Sequence, residues 1–165
     1  MNDDDIMGIA IGLARRGHGN VSPNPSVGCL IVKDGLIVGR GWTQPGGRPH
    51  AETEALSRAG GAARGATAYV TLEPCAHHGQ TPPCAQALID AGVTRVVIGT
   101  GDPDPRVQGG GVSMLRDAGI AVTEAVRSEE AREASIGFLM RIEKNRPLVT
   151  VKLATTLDGR IATSS

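Results

Sequence analysis

Aromatic side chains are nearly missing from this 165-residue chain, which has one Trp, one Tyr and one Phe. Binders of single-stranded nucleic acid stack bases on aromatic platforms, and few are on offer here. The core must come from Ala, Val, Ile and Leu, a composition that suits helices packed on a buried sheet. Net charge is missing too, since 17 Lys and Arg balance 17 Asp and Glu. That balance speaks against a nucleic-acid or membrane-surface partner. No apolar run approaches the ~18 residues that suggest a membrane span. The opening MNDDDIMGIAIGLARR is acidic where a secretory signal is basic, so a cytoplasmic location is expected. Cysteine is scarce and odd in number, with only Cys29, Cys75 and Cys84. Without an export signal, metal or catalytic use explains them better than disulfides.

What is present fits one globular domain: 40% apolar and 21% charged residues, in a length that can bury a real core. Residues 3–16 predict an amphipathic helix with an acidic first turn, basic residues in the last and Gly17 and Gly19 as stops. GNVSPNPSVG (19–28) is a loop by composition. Two apolar runs around Lys33-Asp34-Gly35 predict a β-hairpin. After a loop over 43–49, helical pattern returns across 50–60. Strands over 68–72, 95–99 and 120–123 then alternate with helices over 85–91, 111–117 and about 128–141. Strand–helix alternation implies βαβ units. The expected fold is therefore α/β, a three-layer α/β/α sandwich around a mostly parallel five-stranded sheet with an antiparallel edge hairpin. The tail, 146–165, carries a further strand pattern over 148–154 with no helix after it. It should either join the main sheet or begin a second domain, dividing the chain into 1–145 and 146–165.

The chemistry concentrates in His50-Ala51-Glu52, Pro74-Cys75 and Cys84. Zinc favours N and S ligands in a tetrahedral set, and catalytic sites keep three protein ligands and one open position for water. His50, Cys75 and Cys84 supply three. A proton carrier must stand beside that water, and Glu52 is placed for the task. In mid-helix, residues two apart would not share a face. Both can reach one point if a helix starts there, just after Pro49. Cys84 follows Pro82-Pro83 at a helix start, where the dipole favours a thiolate. The set matches the zinc deaminase pattern, H-x-E with P-C and a second Cys, in which Glu is the acid/base. Nucleotide deaminases more often show P-C-x-x-C, whereas eight residues separate Cys75 and Cys84 here.

TLEPCAHHGQTPPC (71–84), with its wide cysteine spacing, resembles the bacterial riboflavin-biosynthesis deaminase/reductase family, in its N-terminal pyrimidine deaminase domain. PNPSVGCLIV (23–32), PHAETEAL (49–56), ALIDAGVTRVVIG (87–99) and DPDPRVQGGG (102–111) fit the same family in order, and KLATTLDGRIA (152–162) looks like the opening strand of its reductase domain. The resemblance implies a cytidine deaminase-like fold, one catalytic zinc ion and a phosphorylated diaminopyrimidine substrate. It also implies that Asn24, Ala51, His77, Gln80, Asp102 and Asp104 contact that substrate. A homo-oligomer is expected. NADPH would serve only the reductase domain, whose activity is not expected from a chain ending at Ser165.

Three positions depart from the family pattern: Thr43 where His is common, Gln80 where Lys or Arg is common, and Asp104 where Asn is common. The second removes a cation that could hold substrate phosphate. A structural zinc site completed by His77 or His78 is the main competing reading of the ligands. Related cytosine, guanine or nucleoside deaminases compete for the substrate. Cys29 reads as a small buried hydrophobe and His18 as a solvated cap. Gly109-Gly110-Gly111 reads as a helix entry, with a phosphate cradle as the alternative.

Overall fold

The structure, a computed structural model, describes residues 1–77, 82–104 and 107–161. Asn2 starts α1 (Asp3–Ala14) by accepting the Asp5 amide, while the Asp5 carboxylate accepts the Asn2 amide. This reciprocal pair satisfies amides that a helix start leaves without partners. A 3₁₀ turn over Arg15–Gly17 ends the helix. Strands β1 (Gly28–Lys33) and β2 (Leu36–Trp42) form the hairpin. Asp34 and Gly35 both take positive φ at its tip, the backbone twist that a two-residue hairpin demands.

Helix α2 (Ala51–Ala59) leads to β3 (Thr67–Leu72), α3 (Cys84–Asp90), β4 (Arg95–Thr100), α4 (Gly110–Asp117) and β5 (Ala121–Thr123). The five strands lie in the order β2-β1-β3-β4-β5. Strands β3, β4 and β5 run parallel, and β1 is antiparallel to both β2 and β3. The sheet is thus α/β and mixed, with the antiparallel hairpin at one edge as expected. The crossover from β2 through α2 to β3 steps over β1, which is why β1 opposes both neighbours.

Side-chain alternation along the strands divides the core in two. Cys29, Ile31, Val70 and Ile98 point to one face and pack with Ala51, Ala55, Leu88 and Leu115 of α2, α3 and α4. Leu30, Val32, Tyr69 and Val97 point to the other and pack with Met7 and Ile11 of α1 and with Ala131 and Ala134. Three layers result. Cys29 is a core hydrophobe, fully buried.

The helix expected over 128–141 is two, α5 (Ser128–Ala134) and α6 (Ile136–Lys144). They part at buried Ser135, whose φ is −117° and whose hydroxyl donates to the Ser26 carbonyl at 2.8 Å. That bond ties the helix break to the 19–28 loop. The strand expected over 148–154 does not form, and the segment does not join the main sheet. Leu148, Val149, Val151 and Leu153 are exposed. A strand needs a partner's backbone groups, and none pairs with this segment among the described residues. Among the described residues no helix is long and apolar enough to cross a membrane.

Helix α2 sits unusually close to β2. A Cβ on Gly41 would stand 2.1 Å from the Ala51 carbonyl oxygen, and one on Gly39 would stand 2.3 Å from that of Ala55. Only glycine permits this approach. Gly41→Val is therefore expected to drive α2 off the sheet, at a cost of about 1–3 kcal/mol. Thermal unfolding would show a lowered midpoint, and the zinc content of the purified variant would fall with it.

Candidate metal centre and substrate cleft

His50 occupies the N-cap of α2 with extended backbone (φ −69°, ψ 160°), and Glu52 follows in the first turn. The extended N-cap lets the imidazole turn back toward the same point that Glu52 reaches from inside the helix. Cys75 lies just past the C-terminal end of β3, and Cys84 is the first residue of α3. Three separate elements thus deliver His50, Cys75 and Cys84, whose ligand atoms all lie within 4.8 Å of one another. His50 Nδ1 is 3.3 Å from Cys84 Sγ and 3.9 Å from Cys75 Sγ. One imidazole and two thiols are the donors zinc prefers, and three of them leave its fourth position open. The residues fit the ion.

No fourth His, Cys, Asp or Glu joins this cluster among the described residues. His77, one candidate for a closed structural site, is exposed and lines the cleft instead. His78 lies outside the described residues.

The protonation pattern suits metal capture. The Cys84 amide donates to Cys75 Sγ at 3.3 Å. Hydrogen bonding from the Cys84 thiol holds Cys75 down to about 4, with the His50 side chain and Cys84 amide adding to the effect. That bond and burial push Cys84 up, so the pair shares one proton. Hydrogen bonding to Cys75 raises His50. Burial, reinforced by the Cys75 charge, pushes Glu52 up to about 7. A divalent cation would draw the three ligands toward their metal-binding, deprotonated forms.

The cleft in front of the ligands has a volume of about 380 Å³, within the usual range of small-molecule sites. It opens at the C-terminal ends of the parallel strands, the customary ligand position in such sheets. Asn24, His50, Glu52, Cys75, His77, Asp102 and Asp104 all line it. Asn24 Nδ2 donates to the Gly47 carbonyl at 2.7 Å and lies 3.3 Å from His50 Nε2. Ala51 is fully buried behind the wall. Asp102 and Asp104 are buried, with the Asp104 amide donating to Asp102 Oδ1 at 2.9 Å. Gln80 lies outside the described residues.

Thr43, the departure at the His position, is buried in the cleft wall and braces the 19–28 loop. Its hydroxyl accepts the Val27 amide at 3.0 Å and donates to the Pro25 carbonyl at 2.9 Å. His18 is exposed, as expected of a cap, but its Nε2 sits 2.8 Å from the Ala134 carbonyl oxygen.

The structure adds residues that the sequence pattern did not single out. Glu73, buried beside Pro74, accepts the amides of Gly109, Gly111 and Val112 at 3.1, 3.0 and 3.3 Å. Its carboxylate fills the helix N-terminus that a phosphate could have used, so the glycine run is a helix entry. A Cβ on Gly111 would stand 1.9 Å from the Pro74 carbonyl oxygen. Together these contacts lock the turn that carries Cys75. A Glu directly before Pro-Cys was the available signal. Arg48, Phe138 and Arg141 also line the cleft. Arg141 and Phe138 come from α6, far along the chain, and no local motif marks them.

The family described as the cytidine and deoxycytidylate deaminase zinc-binding region matches residues 1–100. The chain belongs to that family. It is 53% identical over 165 residues to the riboflavin biosynthesis protein RibD of Escherichia coli, covering 100% of this chain and 45% of that one. It is 51% identical to RibD of Aquifex aeolicus, covering 98% and 45%. Among solved structures, Acinetobacter baumannii RibD matches with a TM-score of 0.88 and 49% identity, over 99% of this chain and 46% of that one. A Thermotoga maritima diaminohydroxyphosphoribosylaminopyrimidine deaminase/5-amino-6-(5-phosphoribosylamino)uracil reductase matches with a TM-score of 0.89 and 47% identity, over 97% and 46%. The chain thus spans about half the length of the relatives it matches.

Cys84→Ser is expected to lose most bound zinc, read by metal analysis of the purified protein. Because Cys84 is raised and thus protonated at neutral pH, zinc binding should release about one proton there. Affinity should fall as the pH drops, since protons compete for Cys84 and His50. Calorimetry in buffers of differing ionisation heat would check both. Glu73→Gln, leaving the amides of α4 a neutral partner, should destabilise the fold by about 1–3 kcal/mol in denaturant unfolding.

Proposed function

We propose that this chain hydrolyses the ring 2-amino group of 2,5-diamino-6-ribosylamino-4(3H)-pyrimidinone 5′-phosphate to a carbonyl, releasing ammonia for riboflavin synthesis. The observation that carries this reading is a buried carboxylate, Glu52, beside a His/Cys/Cys donor set at the floor of a small-molecule cleft. Its setting is a chain about half identical to RibD.

When bound by His50, Cys75 and Cys84, zinc supplies the Lewis acidity that makes water a nucleophile near neutral pH. Glu52 carries the two protons of that water in turn, the first to the ring nitrogen as oxygen adds to the amino-bearing carbon and the second to the amine, so that oxygen replaces nitrogen and ammonia leaves. Its burial keeps bulk water from competing for those protons. Asn24, oriented by its bond to the Gly47 carbonyl, presents its remaining polar atoms to the ring. The Ala51 amide, in the first turn of α2, is one that a helix leaves without an intrahelical partner, which suits it to donate to the ring. His77, Asp102 and Asp104 frame the rest of the substrate, with Gln80 assigned to the same side of the cleft by family resemblance.

The same reading places the deaminase in residues 1–145 and the start of a reductase domain in 146–165. The exposed apolar tail and the half-length match to RibD support that division. NADPH belongs to the reductase domain alone. A cytoplasmic homo-oligomer completes the proposal, and sedimentation tests its oligomeric part.

The decisive assay measures ammonia release from the diaminopyrimidine phosphate, cytosine, guanine and cytidine, with zinc content determined on the same sample. The first substrate should be strongly preferred; preference for another would replace the substrate assignment. Glu52→Gln should keep stoichiometric zinc and lose activity by at least about a hundredfold, in the range of general acid–base contributions. An active Glu52→Gln protein would remove Glu52 from the mechanism.

A further inference from the structure

The proposed substrate ends in a phosphate, yet the metal end of the cleft is rich in acidic groups. Glu52, Glu73, Asp102 and Asp104 line it beside Cys75. Those carboxylates disfavour a dianion, and Arg48, which also lines the cleft and acts on His50, is the cation that offsets them there, so a further cation in the cavity would strengthen phosphate binding. Arg141 has the required properties. Its Nη2 donates to the Pro23 carbonyl at 2.8 Å, and its guanidinium carbon lies 5.4 Å from the centroid of the Phe138 ring. Both contacts hold the planar fork in place while leaving most of its N–H donors uncommitted. No carboxylate pairs with Arg141 among the described residues, whereas Arg132, on the preceding helix, is bound by Glu143 at 2.6 Å.

Position strengthens the case. A second cavity of about 680 Å³ lies between the 18–26 loop, α6 and residues 145–150. Pro23, Asn24, Phe138 and Arg141 line both cavities, so the two adjoin at this guanidinium. An elongated substrate with its ring at the metal ligands has its exit there. Resting on the function proposed above, we infer that Arg141 anchors the 5′-phosphate and selects phosphorylated over unphosphorylated substrate. Guanidinium matches phosphate through paired N–H donors. The cation that the family pattern places at position 80 is thereby supplied from α6.

The test titrates the zinc-loaded chain with ribose 5-phosphate and with ribose. The wild type should bind the phosphate ester and discriminate against the sugar. Arg141→Gln, which keeps an N–H donor for the Pro23 carbonyl, should weaken ribose 5-phosphate by about tenfold to a hundredfold with zinc content unchanged. With the diaminopyrimidine phosphate as substrate, the loss should fall on KM rather than kcat. Equal affinity in wild type and variant, or no preference for the ester in the wild type, overturns the inference. Should Arg141→Gln fail to fold, Arg141→Lys replaces it: losing the fork should weaken binding several-fold, and unchanged affinity refutes the role. Failure of the functional proposal reads differently. The wild type would then release no ammonia from the diaminopyrimidine phosphate while still binding ribose 5-phosphate through Arg141.

Discussion

The contact between α2 and β2 governs where the chemistry can occur. Gly39 and Gly41 let the backbone of α2 come down onto the strand, with the Ala51 and Ala55 carbonyls where side chains would otherwise stand. This seating fixes the first turn of α2, and with it His50 at the N-cap and Glu52 one step inside. A helix displaced outward by the width of a methyl group would carry both away from Cys75 and Cys84, which arrive from β3 and α3. Close packing transmits such a displacement because protein interiors have few voids to absorb it.

The second anchor is electrostatic. Glu73 closes the start of α4 with its carboxylate and so fixes the turn at the end of β3. The cysteine pair then acquires its shared proton from geometry alone, with the Cys84 amide and thiol both directed at Cys75. Metal affinity, the charge on Glu52 and the acidity of the cleft floor all descend from these two attachments. Arg48 and, from α6, Arg141 are the arginines among the described residues that line the same cavity.

Much of this was legible in the linear chain. The alternation of β-type and helical segments predicted the layers, Asp34-Gly35 predicted the hairpin, and Pro49 ahead of His50-Ala51-Glu52 predicted a helix beginning at the metal ligand. These signals are local, carried by turn chemistry, capping and the two periods of strand and helix. The misreadings have a common origin in non-local partners. Residues 148–154 have the composition of a strand but pair with no neighbour among the described residues. Residues 128–141 have the composition of one helix, yet Ser135 bonds instead to the Ser26 carbonyl and divides it.

The sequence by itself determined the donor types, the acid/base candidate and the family, because ligand identity and spacing are written in short segments around 50, 75 and 84. Only the tertiary structure shows that Thr43, in the cleft wall, braces the 19–28 loop, and that Glu73 rather than a phosphate fills the start of α4. It also brings the Arg141 side chain of α6 into the cavity wall. Each of these depends on groups distant in the chain meeting at hydrogen-bond range, which neither composition nor periodicity encodes.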